Sequence, residues 1–401
     1  RNRAGLANFS RSSSTVTRAS PAAVSDIGSR DSGSAEGARC AARSLSQPPH
    51  AMAAPPRSIC ILRLSALGDA THVVPLVRTL QSAWPATALT WIVGKVEARL
   101  VGDIPGVEFI AVDKGAGFGA FGALRERLHG RRFDALLHCQ VALRANLLAA
   151  LVRAERRIGY DSARSKDLHG LVITERIPAR AGQHVLDAIG SFCEPLGLRQ
   201  AEVRWDLPVP AEAHDFAASV LPGSQPTLLI SPCSSHALRN WLPERYAAVA
   251  DHAVRAHGMR VLLCGGRSAI ERRMGDAIVA AMREPVLDLV GKDTLKQFLA
   301  LAQRASVVLA PDSGPLHMAN AMGTRVIGLH AASNPARSGA YSNREWCVDR
   351  YDAAARKFRG KAAAELRWGT KLEVPGAMEL IEVADVISTL DHCMAGRAGS
   401  S

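Results

Sequence analysis

The chain has 401 residues, 47% of them hydrophobic and 5% aromatic, with 49 Lys and Arg against 37 Asp and Glu for a formal charge of +12. That length allows two domains with packed cores, and the absence of any apolar run near the roughly 18 residues of a membrane span argues for a soluble α/β type over a helical membrane protein. The eight cysteines are scattered without a CxxC pair or metal-ligand spacing, which fits a reducing compartment and no bound metal.

In chain order, residues 1–56 are rich in Ser, Arg and Ala and lack hydrophobic period, so they cannot offset the entropy of ordering and are expected to be disordered. They lack the apolar centre of a secretory signal, and Asp26, Asp31 and Glu36 weaken a transit-peptide reading. Met52 stands just ahead of the first strand, so residues 1–51 read as an upstream extension. This segment accounts for +4 of the charge; the excess left on the folded part favours anionic ligands or an anionic membrane surface. Its densest cluster, LRERLHGRR (124–132), reads as a solvated helix face.

From residue 57 short apolar runs alternate with amphipathic stretches. The runs at 58–64, 89–94, 107–112 and 134–139 are expected as buried parallel strands. After a Pro-rich joint at 205–216 the rhythm restarts with strands expected at 227–232, 259–266, 285–290, 306–311 and 324–330. Two such blocks predict two doubly wound, Rossmann-like domains, an N-terminal one over 57–210 and a C-terminal one over 217–377, with a closing helix at 378–395. Ligands then belong at the carboxyl ends of the strands, in the cleft between the domains.

Three loops at strand ends carry chemistry. LRLSALGDATHVVPL (62–76) sets Ser65, Gly68 and Asp69 directly behind the first strand, with His72 in the next helix. Asp69 there is either an N-cap or a carboxylate facing the cleft, able to take a proton from a hydroxyl. No GxGxxG accompanies it, which counts against a dinucleotide dehydrogenase. SPCSSHALRNWLPERY (231–246) offers Ser234, Ser235 and Arg239, hydroxyls and a guanidinium that suit a diphosphate. APDSGPLHMANAMG (310–323) turns from a strand into a helix, with Asp312 or Ser313 suited to the N-cap and Pro315 to the first turn. It reads equally as a capped helix without a ligand and as a phosphate site of exposed amides and small residues. His317 is open to the same two readings.

Together with VLLCGG and Glu271 downstream, GKDTLKQFLALAQRASVVLAPDSGPLHMANAMGTRVIGLH and SNPARSGAYS, these stretches resemble, in order from about residue 57 to about 391, the glycosyltransferase family 9 heptosyltransferases of bacterial lipopolysaccharide core assembly. GDATHVVP is closer to the first heptosyltransferase of that pathway than to the second. The resemblance implies a GT-B fold, an N-terminal acceptor domain and a C-terminal donor domain. It also implies inverting, metal-independent transfer of heptose from ADP-L-glycero-D-manno-heptose to the Kdo sugar of lipid A, with no cofactor. Carried over by position, Asp69 is the general base, and Ser234, Ser235 and Arg239 hold the diphosphate. Asp312, Ser313, Gly314 and His317 line the sugar and phosphate side, and Glu271 reaches the ribose or base. Ser65, Gly68 and His72 fall on the acceptor side, as does Arg164 of DSARSKD (161–167), paired with a Kdo carboxylate or lipid A phosphate. The family usually has Lys where Arg239 stands, and Arg keeps the charge with a different shape.

The implied location is the cytoplasm, peripheral to the inner face of the membrane, with no transmembrane segment and no nucleic-acid partner. Competing expectations are a family 9 transferase with another sugar nucleotide or a later core acceptor, and a non-catalytic sugar-nucleotide binder, for which Asp69 would have no use. A basic nucleic-acid binder is disfavoured by few aromatics and no recognition motif.

Overall fold

The computed structural model describes residues 54–398, so the expected disorder of 1–56 falls almost wholly outside the described residues. The first half runs Ser58–Leu62 (β1), Leu67–Ala83 (α1), Ala88–Gly94 (β2), Lys95–Val101 (α2), Val107–Val112 (β3), Gly119–Arg127 (α3), Phe133–His138 (β4), Leu143–Ala150 (α4), Ala154–Gly159 (β5), Glu175–Arg176 (β6) and Val185–Gly190 (α5). The second runs Ala211–Val220 (α6), Thr227–Ile230 (β7), Pro243–His257 (α7), Arg260–Leu263 (β8), Ala269–Ala281 (α8), Leu287–Asp288 (β9), Leu295–Arg304 (α9), Val307–Pro311 (β10), Gly314–Ala321 (α10), Arg325–His330 (β11), Pro335–Ser338 (α11), Cys347–Asp349 (β12), Tyr351–Arg359 (α12) and Val383–Ala398 (α13).

Each half builds a parallel six-stranded sheet, in the orders β3-β2-β1-β4-β5-β6 and β12-β11-β10-β7-β8-β9. The two orders are the same winding used twice. In each, the chain starts in the middle, winds outward, then crosses back to fill the other side. The order therefore reverses between β1 and β4, where Ile59 registers with Ala135, and between β7 and β10, where Leu229 registers with Val308. Loops at such a reversal leave in opposite directions and open a crevice at the carboxyl ends of the strands. The strands flanking both crevices, such as ICIL in β1 and VVLAP in β10, are buried throughout because helices cover both faces.

The two doubly wound sheets agree with the sequence, while several boundaries differ. β5, β6 and β12 were not expected: AERRIG of β5 has three charged residues and a half-buried pattern, which an apolar-run criterion passes over. The expected strand at 285–290 shrinks to Leu287–Asp288, and 63–64 and 264–266 leave the strands to become cleft loops. The Pro-rich joint already contains the start of α6, and the closing helix begins at Val383 after a short 3-10 turn at Met378–Leu380.

α1 holds the halves together. It buries Ala70, Val73, Val74, Val77 and Leu80 at helical spacing and also Thr71, His72 and Leu76, so it is covered on nearly all sides. Ala70, Val73 and Val77 share a core with Ile59, Ile61 and Ala135 of its own sheet, and the helix also meets α10 of the second half. The approach is tight at Gly68, where an added Cβ would lie 2.4 Å from Cδ2 of His317. Further bridges cross between the halves: Lys296 Nζ to Asp103 at 2.7 Å, the Tyr341 hydroxyl to Asp187 at 2.7 Å, and Trp368 Nε1 to the Gln183 carbonyl at 3.0 Å.

The Gly68 contact gives opposite signs for two effects of one substitution. Gly68→Ala should stabilise by up to ~1 kcal/mol if only helix propensity mattered. The buried His317 ring in its way makes the expected result a loss of about 1–3 kcal/mol by overpacking, read from the urea midpoint at constant slope. A more stable variant would mean that the two helices separate freely.

Candidate functional site

The crevices of the two sheets face each other across the α1–α10 contact. On the first side, β1 is followed by Arg63, whose side chain is 11% exposed, with Nε donating to the Ser65 carbonyl at 2.9 Å and Nη2 2.5 Å from Oδ2 of Asp69. Asp69 occupies the third position of α1 rather than its N-cap, which is Ala66, and the same Oδ2 accepts the Ala66 amide at 3.0 Å. Both protein contacts to the carboxylate fall on Oδ2, and Oδ1 remains for an incoming group, with a third of the side chain exposed. Burial works to raise the Asp69 pKa, but the Arg63 charge and the Ala66 amide outweigh it and hold the carboxyl ionised below its usual range. The loop is steadied by Gln140, which follows β4: its Oε1 accepts the Leu64 amide at 2.8 Å and its Nε2 approaches Ser65 Oγ at 3.4 Å.

On the second side, β10 runs into Asp312 and Ser313, the N-cap of α10. The Ser313 side chain makes no cap hydrogen bond, and its buried Oγ has no partner; the buried Oγ of Ser234, behind β7, is likewise unpartnered. Gly314 opens the helix with its would-be Cβ 3.1 Å from Leu67, so α10 begins against the start of α1. Asp312 lies 3.7 Å from His317 Nε2 and accepts from Ser338 Oγ at 3.3 Å. Burial would raise its pKa, but contact with His317 and the proximity of His330 keep it well below the carboxylate range.

Arg239, on the 3-10 turn after β7, does not stand free. Its Nη2 is 2.6 Å from Glu373, which also has His236 at 3.7 Å and Lys371 at 3.8 Å. Burial and the nearby Arg239 charge lower the Lys371 pKa. Two cations share one carboxylate, a pairing that an additional anion would relieve. Lys371 and Glu373 lie in KLEVP (371–375), far along the chain, and were not singled out in the sequence; neither was Arg63. The available signal was an Arg directly behind the apolar run ICIL and a polar, Gly- and Pro-bounded stretch carrying Lys and Glu between two helices.

The other expected residues divide. Ser235 is exposed beside Ser234, and Ser65 is half-buried beside Asp69. His72 lies in the domain contact instead of on an acceptor surface: its ring centroid is 4.6 Å from that of His317 and 5.6 Å from that of His184. Gly68 is likewise covered by His317. Arg164 is engaged within its own half, with Asp161, with Gln183 Oε1 at 2.7 Å and with the Pro178 carbonyl at 3.0 Å. Glu271 sits in the second half and accepts the Gly266 amide at 2.7 Å and the Ser268 hydroxyl at 2.7 Å, closing the turn after β8. Beside it, burial pushes Asp293 up to about 7, with the Glu271 charge adding to the rise. A hollow of about 500 Å³ lined by Thr90, Glu108 and Arg131 lies at the amino ends of the first sheet's strands, opposite the crevice.

The model of glycosyltransferase family 9 (heptosyltransferase) matches residues 121–368. The lipopolysaccharide core heptosyltransferase OpsX of Haemophilus influenzae is 39% identical over 335 residues, covering 84% of this chain and 96% of that one. A family 9 glycosyl transferase structure from Veillonella parvula superposes with a TM-score of 0.69 at 21% identity, covering 85% of this chain and 97% of its own. The E. coli heptosyltransferase WaaC with ADP superposes with a TM-score of 0.65 at 18% identity, covering 84% and 99%. The two structures share the fold.

The buried histidines make stability depend on pH. Burial lowers His184 to about 4, His169 to about 4 and His138 to about 3, and takes His72 well below its usual value. His184 shows why protonation is disruptive: its Nδ1 accepts the Leu186 amide at 3.1 Å to cap α5, while Nε2 donates across the cleft to the Gly339 carbonyl at 3.0 Å. Unfolded, these rings take protons near pH 6.5; folded, they do so only in stronger acid. The unfolded state therefore binds more protons in between, and stability falls with pH by up to about 1.4 kcal/mol per unit for each ring. Asp69 and Asp312 contribute stability present above about pH 4 that is lost in stronger acid. The urea midpoint should thus drop steadily from pH 7 to pH 5, and a flat midpoint would contradict neutral burial of the four rings.

Proposed function

The chain belongs to glycosyltransferase family 9 and is a GT-B glycosyltransferase of lipopolysaccharide core assembly, and from that premise we propose that it moves heptose from ADP-L-glycero-D-manno-heptose to the Kdo sugar of lipid A with Asp69 as general base. The observation that carries this reading is the asymmetry of Asp69: Oδ2 is taken by Arg63 and the Ala66 amide, and Oδ1 has no protein partner, on a helix whose first residues, Leu67 and Gly68, pack against the start of α10. A base needs an ionised oxygen with no other partner, and the Arg63 charge keeps this one ionised.

In the proposed reaction the Kdo hydroxyl oxygen forms a bond to the anomeric carbon while the bond from that carbon to the diphosphate oxygen breaks. The electron pair leaves with ADP, the hydroxyl proton goes to Asp69, and attack from the opposite face inverts the centre. The leaving diphosphate needs positive charge and donors. Arg239, Lys371, the unpartnered hydroxyls of Ser313 and Ser234 and the amides at the start of α10 supply them from the second half. Ser235, Gly314, Asp312 and His317 complete the donor side, and Glu271 stands at the turn suited to the ribose or base. For the donor to use Arg239 directly, the Glu373 pair must loosen.

A membrane-borne acceptor is supported by the rim of the first sheet. Phe118, Leu168 and Leu171, 93%, 63% and 79% exposed, stand on the loops after β3 and β5 among Lys114, Arg144 and Lys166. Exposed apolar tips with cations on the same loops suit an anionic lipid surface, although Lys114 pairs with Glu97 at 2.8 Å and Lys166 stands 3.9 Å from Asp167. No described helix is long and apolar enough to cross a membrane, so the proposed attachment is peripheral, on the cytoplasmic face of the inner membrane.

The test combines transfer with binding. Incubated with ADP-heptose and a Kdo-bearing acceptor, the enzyme should release ADP and add the mass of one heptose. Asp69→Asn should bind ADP normally and lose turnover by roughly 10² to 10⁴-fold. Near-normal transfer by that variant would reject the base assignment.

Arg239→Ala should weaken ADP binding by about 1.5–3 kcal/mol, the range for a charge-assisted contact, with much of it recovered by Arg239→Lys. Titration calorimetry reads the difference, and unchanged affinity would remove Arg239 from the donor site.

A further inference from the structure

Away from the cleft, three side chains on two helices converge without a role in the transfer. His252 and His257 lie in the second half of α7, and Asp391 lies on α13. Nε2 of each imidazole is 2.7 Å from the same carboxylate oxygen, Oδ1 of Asp391, and the ligand-capable atoms of all three lie within 4.8 Å of one another. Among the described residues no other group of three or more His, Cys, Asp or Glu has this convergence. Since α7 leaves the cleft edge of the sheet and runs back, its His-bearing end is at the amino ends of the strands, on the far side from Asp69 and Ser313.

We propose that His252, His257 and Asp391 bind a divalent transition-metal ion of the zinc class, which fastens the closing helix α13 to α7. Two neutral imidazole nitrogens and one carboxylate form a donor set of the borderline type such ions take, three protein ligands with a position left for water. The side chains are 27%, 20% and 46% exposed, which gives the ion entry and the water its place. Zinc bonds of about 2.0–2.2 Å set neighbouring ligand atoms roughly 3.3 Å apart, so the present contacts need to open by about half an ångström. That is within the reach of side-chain torsions at a half-exposed site. Binding requires Nε2 of each ring to be free of its proton, with any remaining proton on Nδ1. The neighbouring Arg255 is occupied by Asp251 and Glu284 at 3.2 and 3.1 Å. The set is invisible in the linear sequence because His257 and Asp391 are 134 residues apart.

The experiment uses the untagged full chain, stripped with a chelator and dialysed. Calorimetric titration with Zn²⁺ should give one site per chain, and one equivalent of Co²⁺ should give the visible d–d bands of nitrogen and oxygen coordination. Zinc should also raise the melting temperature, since it binds only the folded arrangement. His252→Ala and Asp391→Asn should each weaken zinc at least about tenfold and abolish the melting shift. Asp391→Asn retains an oxygen that can accept from both rings, so its fold should survive. The proposal is overturned if the parent takes up no zinc, if Asp391→Asn and His252→Ala bind it as tightly as the parent, or if Co²⁺ gives thiolate charge-transfer bands that assign the ion to cysteines.

Discussion

Where α1 meets α10, the missing side chain at Gly68 lets the His317 ring lie where a Cβ would collide. That close approach decides what both crevices can do. Each sheet reverses its strand order at one point, and each reversal presents a loop and a helix start. With α1 and α10 pressed together at their beginnings, Leu67 and Gly68, which precede Asp69 on one helix, pack against Gly314 at the amide-rich end of the other. A larger residue at Gly68 would move a whole helix and its loop, because helices packed at this distance transmit displacement instead of absorbing it. The histidine rings filling the contact, His72, His184 and His317, are small enough to pack edge to face and polar enough to tie α5 to Gly339.

Charge is divided between the halves in a way that suits opposite partners. The first half offers a single ionised oxygen with its counter-ion, Arg63, held behind it. The second offers helix amides, two hydroxyls and the Arg239–Lys371 pair sharing Glu373. Lys371 is the less settled cation, since burial and its neighbour both disfavour its charge. A diphosphate arriving there would raise the proton affinity of Lys371 and compete with Glu373 for Arg239. Binding and local rearrangement of 371–375 are then one event, and donor affinity reflects the balance of the two.

How much of this was legible in the sequence follows from how far apart the interacting residues are. The strands beside the crevices are continuous apolar runs, so β1, β4, β7 and β10 and the loops behind them could be read directly. Asp69, Ser234, Ser313 and His317 were singled out because they lie in or just after those loops, although a capping role and a ligand role look the same in the sequence. β5 stayed hidden since three consecutive charged residues, Glu155, Arg156 and Arg157, interrupt any apolar run in AERRIG. Arg63 was overlooked although it lies within the motif, because its partner is chosen by a turn and not by helical spacing. Glu373 lies 134 residues from Arg239, and no local pattern links them. His72 and Arg164 were recognisable as unusual, but only packing distinguishes a residue facing a ligand from one facing its own protein.

The Arg63–Asp69 pair raises a difficulty for the proposed mechanism, since a carboxylate whose pKa is lowered is a weaker base. The resolution lies in when the proton moves. A sugar hydroxyl is far too weak an acid to lose its proton to any carboxylate before attack. As its oxygen bonds to the anomeric carbon it acquires positive charge, and its acidity rises by many powers of ten. By then even a weak base accepts the proton, and what governs the rate is whether an ionised oxygen already stands at the right position. Arg63 trades proton affinity, which late transfer scarcely uses, for two properties it does use: a charge retained inside a partly buried cleft and an orientation that leaves Oδ1 without a protein partner. On this reasoning a neutral residue in place of Arg63 would leave Asp69 more basic and yet less effective, since burial would then favour its protonated form and nothing would hold its plane.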